Sequence, residues 1–477
     1  MRRTKIICTI GPASRSRERL EHLVEAGMDV ARLNMSHGTA SEHAGAIAQV
    51  RAIAADKGRP VAILQDLAGF KIRIGEMAGG AATLAPGAAV ALTTKDIVGD
   101  AGRIPVPHKS LPAEVNPGDT ILLADGALEL KVETVRGEEI LCRVVSGGAL
   151  GSRKGLDVMG RSLGGAGLTS KDREDLLFGI RQGVDFVALS FVRSPADVEQ
   201  ARRLIADAGT DTPLIAKIEN QDALDHIDGI LAAVDGIMVA RGDLGVWTPI
   251  ARIPLVQKSL IGKSNLAGKP VITATHMLRS MVDKPRPTRA EVTDIANSVL
   301  DGTDAVMLSE ETAAGTYPIE AVRTMAEVAA QTESSLPHDI WMRRMRVSEG
   351  ATVSQAMASA VCRIAHDVRA AAIVTCTSTG STARAVARFR PKHPVLALTP
   401  RETTYRRLAL TWGVTPCLIA KLDATDDLIR EAVRTAGEKL GVRPGELIVV
   451  TAGVPAGVPG STNLIKVEEV RDRTRDR

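Results

Sequence analysis

Aromatic residues are scarce: only 2% of the 477 residues are Phe, Trp or Tyr. A chain so poor in flat side chains has little to build base-stacking platforms for single-stranded nucleic acid, so a nucleic-acid partner is not expected. Cysteine is equally sparse. Cys8, Cys142, Cys362, Cys376 and Cys417 are odd in number, far apart and never in a CxxC pair, which argues against a disulfide framework and a structural zinc site. Reduced thiols in a cytoplasmic protein are the expectation. No stretch approaches the roughly 18 apolar residues of a spanning helix, and the opening "MRRTKIICTIG" has too short an apolar run for a signal peptide. No membrane partner is therefore expected. The charge balance is also modest, with a net +4 and charged residues at 24%. A few placed cations then point to small anions rather than to a polyanion. What remains, 44% apolar residues over 477 positions, fits a soluble chain of several domains.

The first third alternates β-branched runs with amphipathic stretches. "KIICTI" (5–10), "DVARLN" (29–34) and "VAILQD" (61–66) read as strands. Between them, "SRERLEHLVEAG" and "EHAGAIAQVRAIAADKG" read as helices, the first with a glycine stop. This is a βαβαβ pattern and implies a parallel sheet. From 72 to 161 the helical periodicity disappears. Punctuators such as "NPGD" and "ADGA" separate "TILLA", "LELKVETV" and "EILCRVV", which reads as an all-β unit inserted in the first. The βα pattern resumes at "TSKDREDLLFGIRQG", where Thr169 or Ser170 can cap the helix. "DFVALSF", "PLIAKIE", "DGIMVARG", "KPVITAT" and "DAVMLSEE" follow, bringing the count to about eight βα units. Eight is the number of a closed (β/α)₈ barrel. A doubly wound open sheet competes, but no glycine-rich dinucleotide fingerprint opens the first unit. The pattern breaks over 331–351, and "AAIVTCTS", "PVLALTP" and "ELIVVTAG" then suggest a C-terminal α/β unit. The division expected is 1–71 and 162–340 for the barrel, 72–161 for the inserted lid and 341–477 for the C-terminal unit. The last residues, "RDRTRDR", read as a frayed charged tail.

Such barrels work at the carboxyl ends of their strands. Residues two apart on a strand share a face, so Arg32, Asn34 and Ser36 form one set and Lys217 and Glu219 another. Thr273 and Thr275 form a third, and Asp66 and Asp243 stand at two further strand ends. Glu219 and Asp243 are hard oxygen ligands of the kind Mg²⁺ takes together with substrate oxygens. Arg32 has the fork geometry for a phosphate, and Lys217 is a point charge suited to a moving phosphoryl group. The N–H groups of "ARGD" before a helix suit an anion. Any one of these residues alone is more often a cap or a surface charge; their joint occurrence at successive strand ends carries the reading. No Ser–His–Asp arrangement is evident.

Long stretches resemble the pyruvate kinase family over nearly the whole chain. They are "KIICTIGPAS" (5–14), "GMDVARLNMSHG" (27–38), "LGSRKGL" (150–156), "VDFVALSFVR" (184–193), "AKIEN" (216–220) and "DGIMVARGDLGV" (235–246). "KPVITAT" (269–275), "RPTRAEVTDIANSVLDGTDAVMLSEETA" (286–313) and "VVTAGVPAGVPGSTNLIKV" (449–467) complete the set, in family order. The resemblance implies a (β/α)₈ barrel with an inserted small β-barrel domain and a C-terminal α/β regulatory domain. It implies phosphoryl transfer from phosphoenolpyruvate to ADP in glycolysis, giving pyruvate and ATP. Lys217, Arg32 and Thr275 would be catalytic, and Glu219 and Asp243 would hold Mg²⁺, with Mn²⁺ as a substitute. The backbone of Ala240 and Gly242, with Thr275, would hold the carboxylate. Asn34, His37, Arg73 and Lys154 would meet the nucleotide. A homotetramer is the family's usual state. Loop residues Thr377, Ser378, Thr379, Gly380, Ser381 and Thr382 resemble the family's effector loop, for a sugar phosphate or a nucleotide.

The family's monovalent-cation region maps to Asn34, Ser36, Asp66, Leu67 and Lys71. Members that need K⁺ carry glutamate at the position of Lys71, and those that do not carry lysine. The resemblance thus implies that K⁺ is not required, a tethered ammonium supplying the charge. The chain departs from the family at Phe70, Trp247, His276, Arg279, Asp157 and Met159. Two other readings stay open: a metal-dependent carbon–carbon lyase on the same barrel, and a non-enzymatic regulatory relative that binds phosphoenolpyruvate or a sugar phosphate.

Overall fold

In the computed structural model the described residues are 2–124, 126–160, 167–345, 352–454 and 462–471. The limit of the insert at residue 161, the loop 346–351, part of the last matching stretch (455–461) and most of the charged tail lie outside them.

Eight parallel strands close into a barrel. They are β1 (Lys5–Thr9), β2 (Val30–Asn34), β3 (Ala62–Asp66), β4 (Phe186–Leu189), β5 (Leu214–Ile218), β6 (Gly236–Ala240), β7 (Val271–Ala274) and β8 (Ala305–Leu308). β1 pairs with both β2 and β8, which excludes the open sheet. The expected strands are all present, most of them a residue or two shorter than their apolar runs. Alternation sorts their side chains. Ile7, Leu64, Ile215, Met238 and Met307 fill the barrel interior. Ile6, Ile63, Val187, Ala216 and Val239 face the surrounding helices.

The helices begin where local chemistry caps them. Thr39 and Glu42 form a capping box at Ala40–Asp56, and Thr169 and Asp172 form one at Ser170–Arg181. Ser16 caps Arg17–Ala26, and Gly27, at φ 124°, ends it in a conformation that favours glycine. Arg17–Ala26 and Ala40–Asp56 therefore start within a few residues of the strands before them, which keeps those two loops at the carboxyl rim short.

The insert leaves after β3 and has its own core, with Ile74, Leu92, Ile121, Leu130 and Val144 at its centre. The β-barrel implied for it takes the form of a six-stranded sheet and a two-stranded ribbon over that one core. Its middle strands, Thr120–Leu123, Leu128–Arg136 and Glu139–Ser146, match the runs picked out above. Short strands such as Arg103–Pro105 and Gly148–Gly151 give too few residues for an alternation to register.

The C-terminal unit is a five-stranded sheet, parallel except for its last strand, Thr462–Glu469. Trp341 and Met345 already pack in its core. The unit also plugs the amino-terminal end of the barrel. Ala409 and Leu410, from the turn Leu408–Leu410, join the interior barrel cluster. Burying a leucine side chain in this way contributes about 1.5–3 kcal/mol. The carboxyl end of the barrel is left for the insert.

Candidate active site

The strand-end residues gather at the carboxyl mouth. Arg32 lies on β2 and Asp66 ends β3, and their side chains pair at 2.7 Å. Arg32 also donates to Thr9 Oγ1 at 2.8 Å, from the end of β1. Lys217 Nζ, on β5, lies 2.9 Å from Glu219 Oε1 and 3.3 Å from Asp66 Oδ1. It donates to Ser190 Oγ at 2.7 Å, and Ser190 Oγ donates in turn to the Leu67 carbonyl at 2.7 Å. The Phe191 N–H donates to Glu219 Oε2 at 2.6 Å.

Glu219 is wholly buried and Asp66 is 1% exposed, so these charges sit in a low-dielectric site. Burial alone would push the Lys217 ammonium toward neutrality, but Asp66 and Glu219 outweigh it and hold its pKa above the ordinary lysine range. Burial likewise disfavours the Asp66 carboxylate, and Lys217 and Arg32 reverse that, leaving its pKa lowered. Glu219 goes the other way. Its pKa is raised by burial and by Asp243, against the pull of Lys217.

Asp243 stands in the first turn of the helix Arg241–Trp247, directly after β6. Thr275 follows β7 and ties the two loops together. Its Oγ1 accepts the Gly242 N–H at 2.8 Å and donates to the Ala274 carbonyl at 2.7 Å. Arg241 braces the same loop, donating to the Thr275 carbonyl at 2.7 Å and pairing with Asp294 at 2.6 Å. Phe191, Thr275 and His276 all hold positive φ (54°, 65° and 58°). Non-glycine residues in that region carry strain, and such strain concentrates at functional sites.

The other expected positions fall into groups. Asn34 is in register with Asp66, and its Oδ1 accepts the Ser36 N–H at 3.1 Å. Leu67 is buried. Lys71 extends toward the far side of the mouth, where its Nζ is 3.0 Å from Asp243 Oδ1. His37 is exposed on the loop after β2. Arg73 and Lys154 are exposed side by side at the neck of the insert, where Arg73 bridges to Gly155 and the Ile74 N–H donates to the Lys154 carbonyl. Thr377 Oγ1 accepts the Gly380 N–H at 2.9 Å, Thr379 Oγ1 donates to Ser381 Oγ at 3.1 Å, and Thr382 Oγ1 shares a hydrogen bond with Thr462 at 2.7 Å. The Ser378 carbonyl accepts from Thr404 Oγ1.

Several departures have a local account. The Phe70 ring meets His108 of the insert edge-on, with centroids 5.5 Å apart, at the hinge. The neighbouring Gly69 has φ 69°, and a Cβ there would come within 2.7 Å of the Phe191 ring. Arg279 pairs with Glu310 at 3.1 Å. Asp157 is buried, whereas Met159 is half exposed.

Thr9, which ends β1, and Ser190, which follows β4 directly, join the site although neither is among the expected strand-end residues. Both are visible in the sequence as hydroxyls closing a strand-like run. The Phe191 N–H, a backbone donor, has no sequence signature.

The mouth fits a hard divalent cation. Among the described residues no cluster of three or more His, Cys, Asp or Glu side chains forms a closed metal cage. Glu219 Oε1 is buried and makes no hydrogen bond, although Lys217 faces it. Glu219 and Asp243 are hard oxygen donors of the kind that, together with substrate oxygens, hold Mg²⁺.

Known proteins share this sequence and fold. The family model described as "Pyruvate kinase, barrel domain" matches residues 1–322, and "Pyruvate kinase, alpha/beta domain" matches residues 355–468. A pyruvate kinase of Geobacillus stearothermophilus is 49% identical over 99% of this chain and 81% of its own length. One from Clostridium acetobutylicum is 45% identical over 98% of this chain and 100% of its own. The crystal structure of a pyruvate kinase from Cryptosporidium parvum superposes with a TM-score of 0.93 at 37% identity, covering 98% of this chain and 96% of that one. With matches of this extent in sequence and in fold, the chain belongs to the pyruvate kinase family and is a phosphotransferase.

Proposed function

We propose that the mouth transfers the phosphoryl group of phosphoenolpyruvate to ADP, with Glu219 and Asp243 holding a required Mg²⁺, or Mn²⁺ in its place. The observation that carries this is the buried contact of Lys217 with Glu219 and Asp66 beside Arg32. In the reaction the bond between phosphorus and the enol oxygen breaks, and a bond to the terminal phosphate oxygen of ADP forms. The enolate left behind takes a proton on its methylene carbon and becomes pyruvate. Lys217 and Arg32 neutralise charge on the moving group, and their carboxylate partners fix them there before substrate arrives. Thr275, with the backbone of Ala240 and Gly242, orients the carboxylate on the side where the proton is delivered. Bound Mg²⁺ supplies Lewis-acid stabilisation of the enol oxygen and the phosphate. Arg73 and Lys154 meet the nucleotide from the neck of the insert, with Asn34 and His37 on the opposite loop. Closure of the insert over the mouth excludes water. For this role we divide the chain as 1–71 and 162–340 (barrel), 72–161 (lid) and 341–477 (regulatory unit).

A coupled assay of pyruvate formation, with and without ADP, tests the reading. Strict ADP dependence is expected. Pyruvate release without ADP would favour a lyase, and binding of phosphoenolpyruvate without turnover would favour a regulatory protein.

Two finer features belong to the same proposal. Lys71 brings a fixed positive charge to the rim at Asp243, and this supports activity without K⁺. Full rate in K⁺-free buffer is expected, with Lys71→Glu creating a K⁺ requirement; strong K⁺ activation of the unaltered chain would refute it. The hydroxyls of Thr377–Thr382 form an effector loop of a homotetramer, which light scattering and effector titration would test.

A further inference from the structure

The turn that follows β4 touches both of the groups that face each other in the mouth. Ser190 and Phe191 stand there, packed against the segment through which the insert leaves the barrel. Ser190 Oγ accepts from Lys217 Nζ at 2.7 Å. This is the shortest contact of the ammonium, ahead of Glu219 at 2.9 Å and Asp66 at 3.3 Å. One residue on, the Phe191 N–H donates to Glu219 Oε2 at 2.6 Å. A single turn thus meets the lysine through a side chain and the glutamate through the backbone.

The Ser190 hydroxyl is itself oriented. A hydroxyl has one proton to give and lone pairs to receive with. Its proton goes to the Leu67 carbonyl at 2.7 Å, with Asp66 Oδ1 farther off at 3.5 Å. Leu67 is buried, and its own N–H donates to the Ala188 carbonyl at 3.0 Å, so the acceptor is anchored to β4. The lone pairs of Ser190 are left to face Lys217. Packing gives the turn no room to drift toward the insert. A Cβ at Gly69 would come within 2.8 Å of Ser190 Cβ and 2.7 Å of the Phe191 ring. Phe191 holds φ 54°, a conformation that persists only where its surroundings enforce it.

The three partners of Lys217 are not equivalent. Asp66 and Glu219 keep the ammonium charged, but each also offsets part of its field. Ser190 is neutral, so it directs the ammonium and leaves its charge intact. Direction matters here because a lysine is a point charge on a flexible four-carbon stem. Attraction to a carboxylate depends little on angle, whereas a hydrogen bond weakens steeply away from its axis.

We propose that Ser190 is a positioning residue for phosphoryl transfer. Its hydroxyl, held by the Leu67 carbonyl, sets the direction of the Lys217 ammonium toward the moving group. The inference rests on the reading of Lys217 as the cation that neutralises that group, and Ser190 acts through Lys217 alone. A misplacement of about 1 Å can cost a reaction roughly 10²-fold.

Steady-state kinetics of Ser190→Ala test this, with urea unfolding to establish that the variant is folded. The turnover number should fall about 10–100-fold, while KM for phosphoenolpyruvate and for ADP changes little. Mn²⁺ affinity, followed by electron paramagnetic resonance, should be unaltered, because the Phe191 N–H still holds Glu219. The same substitution made in a Lys217→Met background should cost nothing further, since two residues that act as one unit are not additive. If the alanine variant is unstable, Ser190→Cys, whose sulfur is a weak acceptor, should show the same split. An unchanged turnover number would overturn the proposal. So would an equal fold loss in both backgrounds, which marks a structural role, or a raised KM at constant turnover number, which marks a binding role. An unaltered chain that forms no pyruvate from phosphoenolpyruvate and ADP would overturn the underlying reading and this inference with it. That result is distinct from an active chain indifferent to Ser190→Ala.

Discussion

At the carboxyl mouth Arg32 is paired with Asp66, and Lys217 lies between Asp66 and Glu219, all largely buried. At the amino-terminal floor Arg384 and Arg401 line a wider cleft, and the carboxylate nearest Arg407 is almost fully exposed. The same chemical groups are thus held in two ways. Tight internal pairing fixes cations in advance for a reaction in which charge moves, because little reorganisation is then needed. Loose, unequal pairing at the floor leaves positive charge that no buried carboxylate matches. The floor is not uniformly loose, however. Arg390, buried beneath the C-terminal unit, pairs with Asp304 at 2.8 Å and lies over the Trp412 ring. Asp29, just before β2, pairs with Arg2 at 2.7 Å. Where the floor serves as a structural joint its charges match, and where they do not match there is a cavity.

This contrast can be broken at graded cost. Asp66→Asn should have the largest effect on stability, since it leaves Arg32 and Lys217 buried around one remaining carboxylate. A loss of about 3–5 kcal/mol in urea unfolding is expected; a loss under 1 kcal/mol would mean the mouth is less tightly coupled than described. Glu219→Gln should come next. Titration with Mn²⁺, followed by electron paramagnetic resonance, should show affinity reduced by about 10–100-fold, and an unaltered affinity would remove Glu219 from the metal site.

The Asp29 joint predicts a pH dependence. Burial opposes its charge, but Arg2, Lys5 and the Ile6 N–H more than compensate, so its pKa is lowered in the folded chain. A group lowered on folding contributes stability that is present above its unfolded pKa, about 3.9 for aspartate, and is lost as pH falls through the folded value. Asp29→Asn should therefore flatten acid denaturation in that window and lower stability at neutral pH. Equal pH slopes in the two proteins would contradict the pairing. The smallest effect is at the hinge. Phe70→Ala removes the edge-on contact with His108, worth about 0.5–1.5 kcal/mol. It should loosen the insert, seen as faster hydrogen exchange at the neck, while the barrel core is unchanged.

Much of this was legible in the sequence, and the exceptions are instructive. The barrel strands are apolar runs bounded by helix caps, and caps such as Thr39–Glu42 and Thr169–Asp172 are local chemistry that sequence displays directly. Arg32, Lys217 and Glu219 are legible because two-residue periodicity fixes which face a strand residue takes, and Asp243 because it closes a strand-like run at the start of a helix. The direction of Lys71 was not found. It sits on a loop after β3, where no periodicity applies, and its contact with Asp243 spans 172 positions. The short strands of the insert escaped because three or four residues cannot establish a period. The floor cleft was invisible for a related reason. Lys269 and Arg401 are ordinary surface charges in sequence, and only the docking of the turn Leu408–Leu410 into the barrel brings their loops together.

The central claim, that the mouth is fixed in advance around Lys217 for phosphoryl transfer, is tested most directly by Lys217→Met. Turnover of phosphoenolpyruvate with ADP should fall by about 10³-fold, while phosphoenolpyruvate binding, followed by calorimetry in the presence of Mg²⁺, changes little. An undiminished turnover number would contradict the account.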